Sequence, residues 1–521
     1  MFVDTGRWTE ASNAFESAIN LLSKLSTRTL NRTDQQYVLS QISGLSSAAA
    51  AAALEAEQGA PHALKLLEAG RCVILGLAID TRSDVSDLKE RDANLWEQYE
   101  RCRDDISQLR NWQRLSDKME FLSEQEELEK SLSKLASVES KIRQVPGLER
   151  FQLPLEPHEL MELADKGPVV TFNISKIRCD AIMVTSDKIQ VCNLPNLNYD
   201  TVHEKARSIS SLVSTSRRHV KLKIQKHSES SDKDKLRQDL MWLWDSAVRP
   251  VLDKLDIRLL ENVWWVVGGN MGLLPIHAAG DHSEGSRENT MSRTVSSYIS
   301  TFKALRYSRE RALRQSLKDR LMLVNMANTP GQEALVTKHE INAIREEFGE
   351  AVTFLDHPGK YDVLKNLKLC PFAHFACHGA SNAHDPSEGG ILLVENGRTV
   401  LLKIKELDGI RLKHANIAYL SACSTAELSA GNLVDEAIHL SNSFQMIGFK
   451  HVIGTMWAAD DQAAGEIAHN FYRSLRDKFT GKENDELHVA RVLHNAVIKF
   501  KNSSSLKGDV AQWGAFIHIG A

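Results

Sequence analysis

The sequence predicts an α/β domain with a largely parallel sheet, preceded by an all-α region. Short, near-continuous apolar runs rich in β-branched and aromatic residues recur through the second half of the chain, and helical patterns separate them. Strands that are buried on both faces and alternate with helices typically form a parallel sheet. The first 145 residues instead show only the three- and four-residue apolar spacing of amphipathic helices.

The totals indicate a multidomain globular protein. A chain of 521 residues is too long for one ordinary hydrophobic core, and 42% hydrophobic with 25% charged residues is a common composition. A formal net charge of −4 gives no indication of a nucleic-acid or acidic-membrane partner. No apolar run approaches the roughly 18 residues that span a bilayer, and the N-terminus lacks a signal-peptide core. We therefore expect no membrane segment.

The cysteines favour a reducing compartment. They number seven and include no C-x-x-C pair; they are residues 72, 102, 179, 192, 370, 377 and 423. An odd, unpatterned set without a secretory signal indicates reduced thiols, and we expect a cytoplasmic protein. No cluster of His, Cys and Asp has zinc spacing, so we expect neither a metal nor a cofactor.

The chain divides into three predicted regions: 1–145, 146–234 and 235–521. In the first region, residues 6–19 follow the pattern G-x-W-x-x-A-x-x-x-F-x-x-A-I, which resembles a tetratricopeptide repeat, and residues 55–71 repeat it loosely. Long amphipathic helices follow, and their spacing predicts a packed helix pair.

The middle region, 146–234, reads as a connecting α/β segment. Apolar runs at 169–174, 181–186 and 189–194 predict three short strands linked by tight turns. The polar stretch "QKHSESSDKDK", residues 225–235, predicts an exposed loop at the boundary of the next region.

The last region, 235–521, carries the main alternation of strands and helices. The predicted strands are 263–268, 320–327, 372–379, 416–423 and 451–457, and the predicted helices are 296–315, 333–348, 433–447 and 461–478. In open α/β sheets the chemistry lies beyond the carboxyl ends of the strands. His378 with Gly379, and Cys423, fall at two such ends.

A histidine and a cysteine at neighbouring strand ends could form a catalytic dyad. A neutral thiol is a poor nucleophile, and an adjacent imidazole can supply thiolate near neutral pH. If the two strands are neighbours, His378 can reach Cys423. The backbone amides of Gly379 and Cys423 would then be candidate donors to the oxyanion of a tetrahedral intermediate. The alternative is that both side chains are ordinary core residues, as we expect for His374 and Cys377.

The order of four segments resembles the CHAT domain, a relative of caspases and separases. These segments are "HFACHG", "LSACSTA", "FQMIGFKHVIGTMWAADD" and "WGAFIHIG", and the resemblance covers about 235–521. Residues 433–457 look most like versions from filamentous fungi, and a preceding tetratricopeptide array is usual in the family. One departure is "GNLVDEA", where the family usually has Gly-Glu after the nucleophile loop.

The resemblance implies a caspase-like cysteine endopeptidase. His378 would be the general base or imidazolium partner, and Cys423 the nucleophile. In separase-like relatives an acidic residue just after the tryptophan that corresponds to Trp457 binds a basic P1 side chain. Asp460 and Asp461 follow Trp457, so either could line that S1 pocket and favour Arg or Lys. The alternative for these aspartates is an N-cap of the helix predicted from residue 461.

Two functions from different classes follow. The first is a latent thiol protease that acts on a protein substrate and whose helical repeats dock a regulatory protein. The second is a catalytically silent scaffold for protein–protein interaction, although a scaffold needs neither His378 nor Cys423. A small-molecule hydrolase is disfavoured because the sequence has no G-x-S-x-G elbow.

Overall fold

The structure is a computed structural model of the chain. It describes residues 2–24, 32–80, 82, 85–112, 121–222, 226–257, 260–310, 320–382, 385–407, 410–421, 440–480, 488–503 and 509–521.

The N-terminal region is helical, as predicted. Its helices are α1 (Trp8–Lys24), α2 (Arg32–Ser40), α3 (Leu45–Glu55), α4 (Ala60–Ala69), α5 (Val73–Asp80), α6 (Ser86–Arg91), α7 (Ala93–Trp112) and α8 (Phe121–Ile142). The alanine run of α3 is fully buried from Ala49 to Ala53, because small side chains let α1 and α4 approach it closely. The long helices α7 and α8 pack against each other around Tyr99 and Cys102. The tetratricopeptide-like character of this region stays a prediction.

One segment of the described residues, Asp34–Glu55, is long and apolar enough to cross a membrane by length and composition. Its mean hydropathy is 1.2, and 44% of it is buried inside the protein. In the structure the segment comprises most of α2 and all of α3, and α3 packs against α1 and α4. Packing in the core therefore explains its apolar character.

The remaining helices flank the sheet. They are α9 (Pro157–Glu162), α10 (Tyr199–Leu222), α11 (Lys226–Leu243), α12 (Arg249–Lys254), α13 (Thr290–Arg293), α14 (Phe302–Arg309), α15 (Lys338–Phe348), α16 (Lys360–Leu367), α17 (Ile404–Leu407), α18 (Leu440–Ile447), α19 (Asp461–Thr480), α20 (Val489–Ser503) and α21 (Val510–Trp513). The loop expected at 225–235 is wrong from Lys226 onward, where α11 begins. Leu236 and Leu240 of this helix are buried, so tertiary packing outweighs the polar composition of its first turns.

Fourteen strands form two sheets among the described residues. They are β1 (Val169–Ile174), β2 (Cys179–Val184), β3 (Ile189–Asn193), β4 (Glu261–Val266), β5 (Thr294–Ile299), β6 (Leu321–Asn325), β7 (Val352–Asp356), β8 (Phe372–Ala376), β9 (Gly379–Ala380), β10 (Gly390–Glu395), β11 (Arg398–Lys403), β12 (Ile417–Leu420), β13 (His451–Thr455) and β14 (Phe516–Gly520). The helix expected at 296–315 is wrong at its start: β5 runs to Ile299, and α14 begins at Phe302. The buried β-branched and aromatic side chains of β5 pack between β4 and β14.

The main sheet has eleven strands in the order β3-β2-β1-β4-β5-β14-β13-β12-β8-β6-β7. Strands β1, β4, β5 and β14 pair in parallel and form what we call the first half-sheet. Strands β13, β12, β8, β6 and β7 also pair in parallel and form the second half-sheet. Because β13 and β14 are antiparallel, the two half-sheets run in opposite directions. Their carboxyl ends therefore lie at opposite edges of one sheet, and the predicted fold class is confirmed.

The N-terminal helices fill the carboxyl-end rim of the first half-sheet. Arg71 donates to the carbonyl of Phe172 on β1 at 3.0 Å and packs beside Gly268, which follows β4. The Glu68 carboxylate accepts from the backbone N–H of Phe302, just beyond β5, at 2.9 Å. Burial raises the pKa of Glu68 to about 7, although the Phe302 amide and Arg71 act in the opposite direction. This rim is closed by packing between helices and sheet.

Buried histidines occupy the seam between the half-sheets. Nδ1 of His451 on β13 lies 3.0 Å from Nε2 of His518 on β14, and Nδ1 of His518 lies 2.9 Å from the Ser297 hydroxyl on β5. Burial lowers the pKa of His518 to about 3 and that of His451 well below its usual value. It also lowers the pKa to about 4 at each of His277, His282 and His494. These imidazoles are neutral structural groups at physiological pH.

Candidate active site

The strands that carry the predicted dyad are neighbours. Strand β12 pairs in parallel with β8, with Leu420 opposite Phe375, and the Ser421 N–H donates to the Phe375 carbonyl at 3.0 Å. The segment after β8 and the segment after β12 therefore leave the same edge of the second half-sheet. His378 lies at this edge, three residues after Phe375. Cys423 lies outside the described residues, two positions after Ser421.

The His378 ring is held by a backbone carbonyl. His378 is 7% exposed, and its Nε2 lies 2.7 Å from the carbonyl oxygen of Glu333. A carbonyl oxygen only accepts, so Nε2 carries the hydrogen of the neutral ring. Nδ1 then has a free lone pair, and it has no hydrogen-bond partner within the part of the chain that the structure describes. This arrangement leaves one ring nitrogen available as a base.

The loop that supplies this carbonyl is fixed at several points. It leaves β6 and enters α15. Leu335 N–H donates to the Ala327 carbonyl at 2.9 Å, and the Thr337 hydroxyl donates to Asn325 Oδ1 at 2.7 Å. Val336 N–H donates to Oδ2 of Asp461 at 3.0 Å. The loop therefore links the His378 side of the rim to the start of α19.

A buried polar network lies within the sheet around His374, four residues before His378. His374 is fully buried, as expected for a core residue, and its Nδ1 lies 2.9 Å from the Tyr472 hydroxyl. Glu340 Oε1 lies 3.1 Å from His374 Nε2, within ion-pair distance but without the alignment of a hydrogen bond. The Tyr419 ring stacks on His374 with centroids 4.8 Å apart. Burial raises the pKa of both tyrosine hydroxyls.

Gly379 lies directly beyond His378 in the short strand β9. It pairs opposite Ile391 of β10, and the flanking Leu392 N–H donates to the His378 carbonyl at 3.0 Å. The hydrogen-bonded positions of an antiparallel pair alternate, so the Gly379 N–H points away from β10. The neighbouring Cys377 is fully buried, as expected.

The two aspartates after Trp457 have different roles in the structure. Oδ1 of Asp460 accepts from the N–H groups of Gln462 and Ala463 at 3.0 and 3.1 Å, so Asp460 is the N-cap of α19. Asp461 is the first residue of α19 and holds the loop at Val336. The other oxygens, Oδ2 of Asp460 and Oδ1 of Asp461, have no partner among the described residues.

Both aspartates line a large cleft at this edge, which we call the rim cleft. Its volume is about 870 Å³, and it runs from Val336 and His339 along α19 to Asn470 and across to Ser503 and Gln512. Four of its lining residues are carboxylates: Asp460, Asp461, Glu466 and Asp509. None of its described lining residues is Lys or Arg. The field inside such a cleft is negative and favours a cationic ligand.

The described residues contain no group of three or more His, Cys, Asp or Glu side chains placed to hold a metal ion. Two contributors at this site escaped the sequence reasoning. Glu333 acts through its backbone carbonyl, which leaves no trace in the side-chain pattern. Glu340 lies on an amphipathic helix, where a charged residue is normally read as solvent-exposed. Only the packing of α15 on β8 shows that it is buried.

The fold is similar to that of separase. The 2.6 Å and 3.0 Å crystal structures of the Saccharomyces cerevisiae separase–securin complex match with TM-scores of 0.57 and 0.56, at 12% and 13% identity. Each match covers 98% of this chain and 37% of the separase chain. At this identity the likeness shows the fold, which is caspase-like in the C-terminal region. A search of curated proteins gave no match.

The family of the chain is shown by its sequence, independently of the fold. The CHAT domain pattern matches residues 237–521, which is more than half of the chain and agrees with the boundary near 235 that the motifs indicated. This range holds all of the second half-sheet, β4, β5 and β14 of the first, and the rim cleft apart from Val213. The chain belongs to the CHAT domain family.

Proposed function

We propose that this chain is a latent caspase- and separase-like cysteine endopeptidase. Cys423 is the nucleophile and His378 is its base. The observation that carries the proposal is the hydrogen bond from His378 Nε2 to the Glu333 carbonyl, which leaves Nδ1 free at the edge where β12 ends.

The short chain segment between Ser421 and Cys423 supports the proposal that Cys423 can contact His378. Cys423 follows Ser421 by two positions, and two residue steps of extended chain span at most about 7 Å. Ser421 is itself bonded to β8, the strand that leads to His378. The proposed dyad therefore needs only the ordinary reach of two side chains at one edge.

The proposed reaction has two stages. His378 Nδ1 accepts the thiol proton, and the Cys423 sulfur bonds to the peptide carbonyl carbon. The N–H groups of Gly379 and Cys423 donate to the resulting oxyanion. The C–N bond then breaks, and the imidazolium protonates the leaving amine. In the second stage His378 removes a proton from water, which hydrolyses the thioester and releases the acid and the thiol.

We propose Arg or Lys at P1. The oxygens of Asp460 and Asp461 that have no described partner are acceptors in a cleft whose described lining holds no Lys or Arg, and a guanidinium or ammonium group would satisfy them. Asp460 can cap α19 with one oxygen and contact substrate with the other. The two alternatives weighed for these residues are therefore compatible.

A regulatory protein partner on the N-terminal helices, read as tetratricopeptide-like repeats, completes the proposal. The yeast separase of similar fold was crystallised with securin, and its match covers nearly all of this chain. The composition and scattered cysteines favour a cytoplasmic location. The partner would act by binding the active arrangement of the catalytic residues better than the inactive one.

The test is the alkylation rate of every cysteine against pH, measured by mass spectrometry in wild type, His378→Ala and the exposed control His414→Ala. We expect Cys423 to react fastest, with a lowered apparent pKa that His378→Ala returns toward 8.5 and His414→Ala does not. An ordinary Cys423 in all three proteins, unchanged by candidate partners, would contradict the dyad and favour the scaffold.

A further inference from the structure

The rim cleft presents more acceptors than one basic side chain can satisfy. Besides the free oxygens of Asp460 and Asp461, Glu466 lines the cleft and is half-buried. Its Oε1 accepts from Gln462 Nε2 at 2.9 Å, and its Oε2 has no partner among the described residues. Asp509 differs, because Lys233 and the Ala511 N–H occupy its two oxygens. Glu466 is therefore a second free charge in the cleft.

Gln512 is an independent sign that a donor is missing. It lines the same cleft and is 8% exposed, and its side-chain oxygen has no donor within the described part of the chain. A buried amide oxygen without a hydrogen bond costs about 1–3 kcal/mol, so native proteins normally pair such atoms. Gln512 and Glu466 line the same cleft, so a ligand that donates several hydrogen bonds is the candidate partner of both.

The spacing along α19 fits an extended peptide. Glu466 follows Asp461 by five positions, which corresponds to about 7.5 Å along the helix axis, and both residues line the cleft. Side chains two residues apart in an extended peptide point to the same side and lie about 6.7 Å apart. A peptide whose first basic side chain reaches Asp461 would place a second one near Glu466. A side chain on the adjacent peptide residue would point away from the cleft.

From these three observations we propose that the rim cleft contains a second cation-binding subsite, formed by Glu466 and Gln512, and that its ligands are extended peptides with two basic residues separated by one residue. The inference rests on the proposed function for the identity of the ligand as a peptide. It adds a spacing requirement that a single acidic S1 pocket does not impose.

The experiment measures binding to full-length Cys423→Ser, so it requires no turnover. The probes are fluorescent heptapeptides with blocked termini. Each is alanine at every position except those that form Arg-Ala-Arg, its isomer Arg-Arg-Ala, or a single Arg. The two isomers carry equal charge, so long-range attraction affects both alike. We expect Arg-Ala-Arg to bind about five- to tenfold more tightly than Arg-Arg-Ala, because one additional charge-assisted contact forms.

Two variants test whether Glu466 binds the second Arg of the peptide. Glu466→Gln should reduce the advantage of Arg-Ala-Arg over its isomer to less than about twofold, while the affinity for the single-Arg peptide changes by less than about twofold. Asp477→Asn, an exposed carboxylate on the same helix but outside the rim cleft, should leave all affinities unchanged.

Equal binding of the two isomers would overturn the second subsite, as would a Glu466→Gln variant that weakens all three peptides equally. These results are distinguishable from failure of the proposed function, since a silent scaffold could still bind Arg-Ala-Arg. Conversely, an active dyad in the alkylation test with equal binding of the isomers would retain the protease and remove only the second subsite.

Discussion

Each half-sheet has a rim where the carboxyl ends of its parallel strands meet, but the two rims differ in what surrounds them. Beyond β1, β4 and β5 the rim is filled by α4 and α5, where Glu68 and Arg71 bond to backbone groups. Beyond β8, β12 and β13 the rim holds His378 and the rim cleft, where a ring nitrogen and several carboxylate oxygens have no partner among the described residues. Both edges offer the strand-end geometry that α/β enzymes use.

The difference shows that the geometry of a rim is not sufficient for chemistry. At the closed rim, Glu68 and Arg71 bond to backbone groups, and burial drives the Glu68 carboxyl toward its neutral form. At the other rim, one carboxylate oxygen of each of Asp460, Asp461 and Glu466 has no partner within the described ranges. Between the rims, the seam of buried histidines joins the halves through neutral imidazoles.

Acid should destabilise the protein through its histidines with lowered pKa values. The folded pKa values of His277, His282 and His494 are about 4, below the unfolded value of 6.5. The unfolded chain therefore binds more protons below pH 6.5, and stability falls as pH falls from 6.5 toward 4. Each group contributes about 1.4 kcal/mol per pH unit at most, so the protein should unfold cooperatively near pH 5. Denaturant titrations at pH 7.5, 6.5 and 5.5 measure the slope.

The control for the acid prediction is a pair of glutamine variants. His518→Gln should reduce the pH slope, because it removes a group whose folded pKa is about 3. The exposed His414→Gln should leave the slope unchanged. A stability that is flat between pH 7.5 and 5 would show that the seam histidines are not held neutral.

Alanine at two histidines should separate function from stability. His378→Ala should lower peptide cleavage by at least about 100-fold, the usual contribution of a general base, and lower the free energy of unfolding by about 1 kcal/mol or less. His518→Ala should instead lower the free energy of unfolding by about 2–4 kcal/mol through a cavity and lost hydrogen bonds. Cleavage assays and urea titrations on both variants measure this. Equal effects on stability would remove the distinction between rim and seam.

Glu68→Gln should stabilise the closed rim at alkaline pH. The folded pKa of Glu68 is about 7, above its ordinary value of 4.5, so its ionisation opposes folding increasingly as pH rises from 4.5 to 7. Glutamine keeps an acceptor for the Phe302 amide and cannot ionise. We expect the free energy of unfolding to exceed that of wild type by about 1–3 kcal/mol at pH 8 and by almost nothing at pH 4.5. Thermal melts of the variant and wild type at matched pH test this, and a loss of stability at pH 8 would contradict it.

Asp460 should separate capping from recognition. Asparagine caps a helix about as well as aspartate, whereas alanine costs about 1 kcal/mol. Asp460→Asn should therefore keep the stability of wild type but weaken binding of an Arg peptide about threefold, while Asp460→Ala should lose both. Melts and peptide titrations on the two variants give the comparison. Unchanged peptide affinity in both variants would leave Asp460 a cap alone.

Elements whose signals are local could be predicted from the amino-acid sequence. Continuous β-branched and aromatic runs predicted the buried strands β4, β6, β8, β12 and β13, and the position of His378 and Gly379 followed from where a run stopped. The N-cap alternative for Asp460 was also readable, because capping depends on a few adjacent residues. Whether Cys423 meets His378 stays a prediction.

The way in which these elements combine depends on contacts between distant parts of the chain. The opposite direction of the half-sheets depends on β14 entering antiparallel to β13, a pairing between segments more than sixty residues apart. The bond from Val336 to Asp461 spans 125 residues, and the partner of His378 is a backbone carbonyl. Such contacts are set by the burial of whole surfaces against each other, and periodicity within a short window contains no information about them. For the same reason, only the packing shows that helices fill the rim beyond β1, β4 and β5.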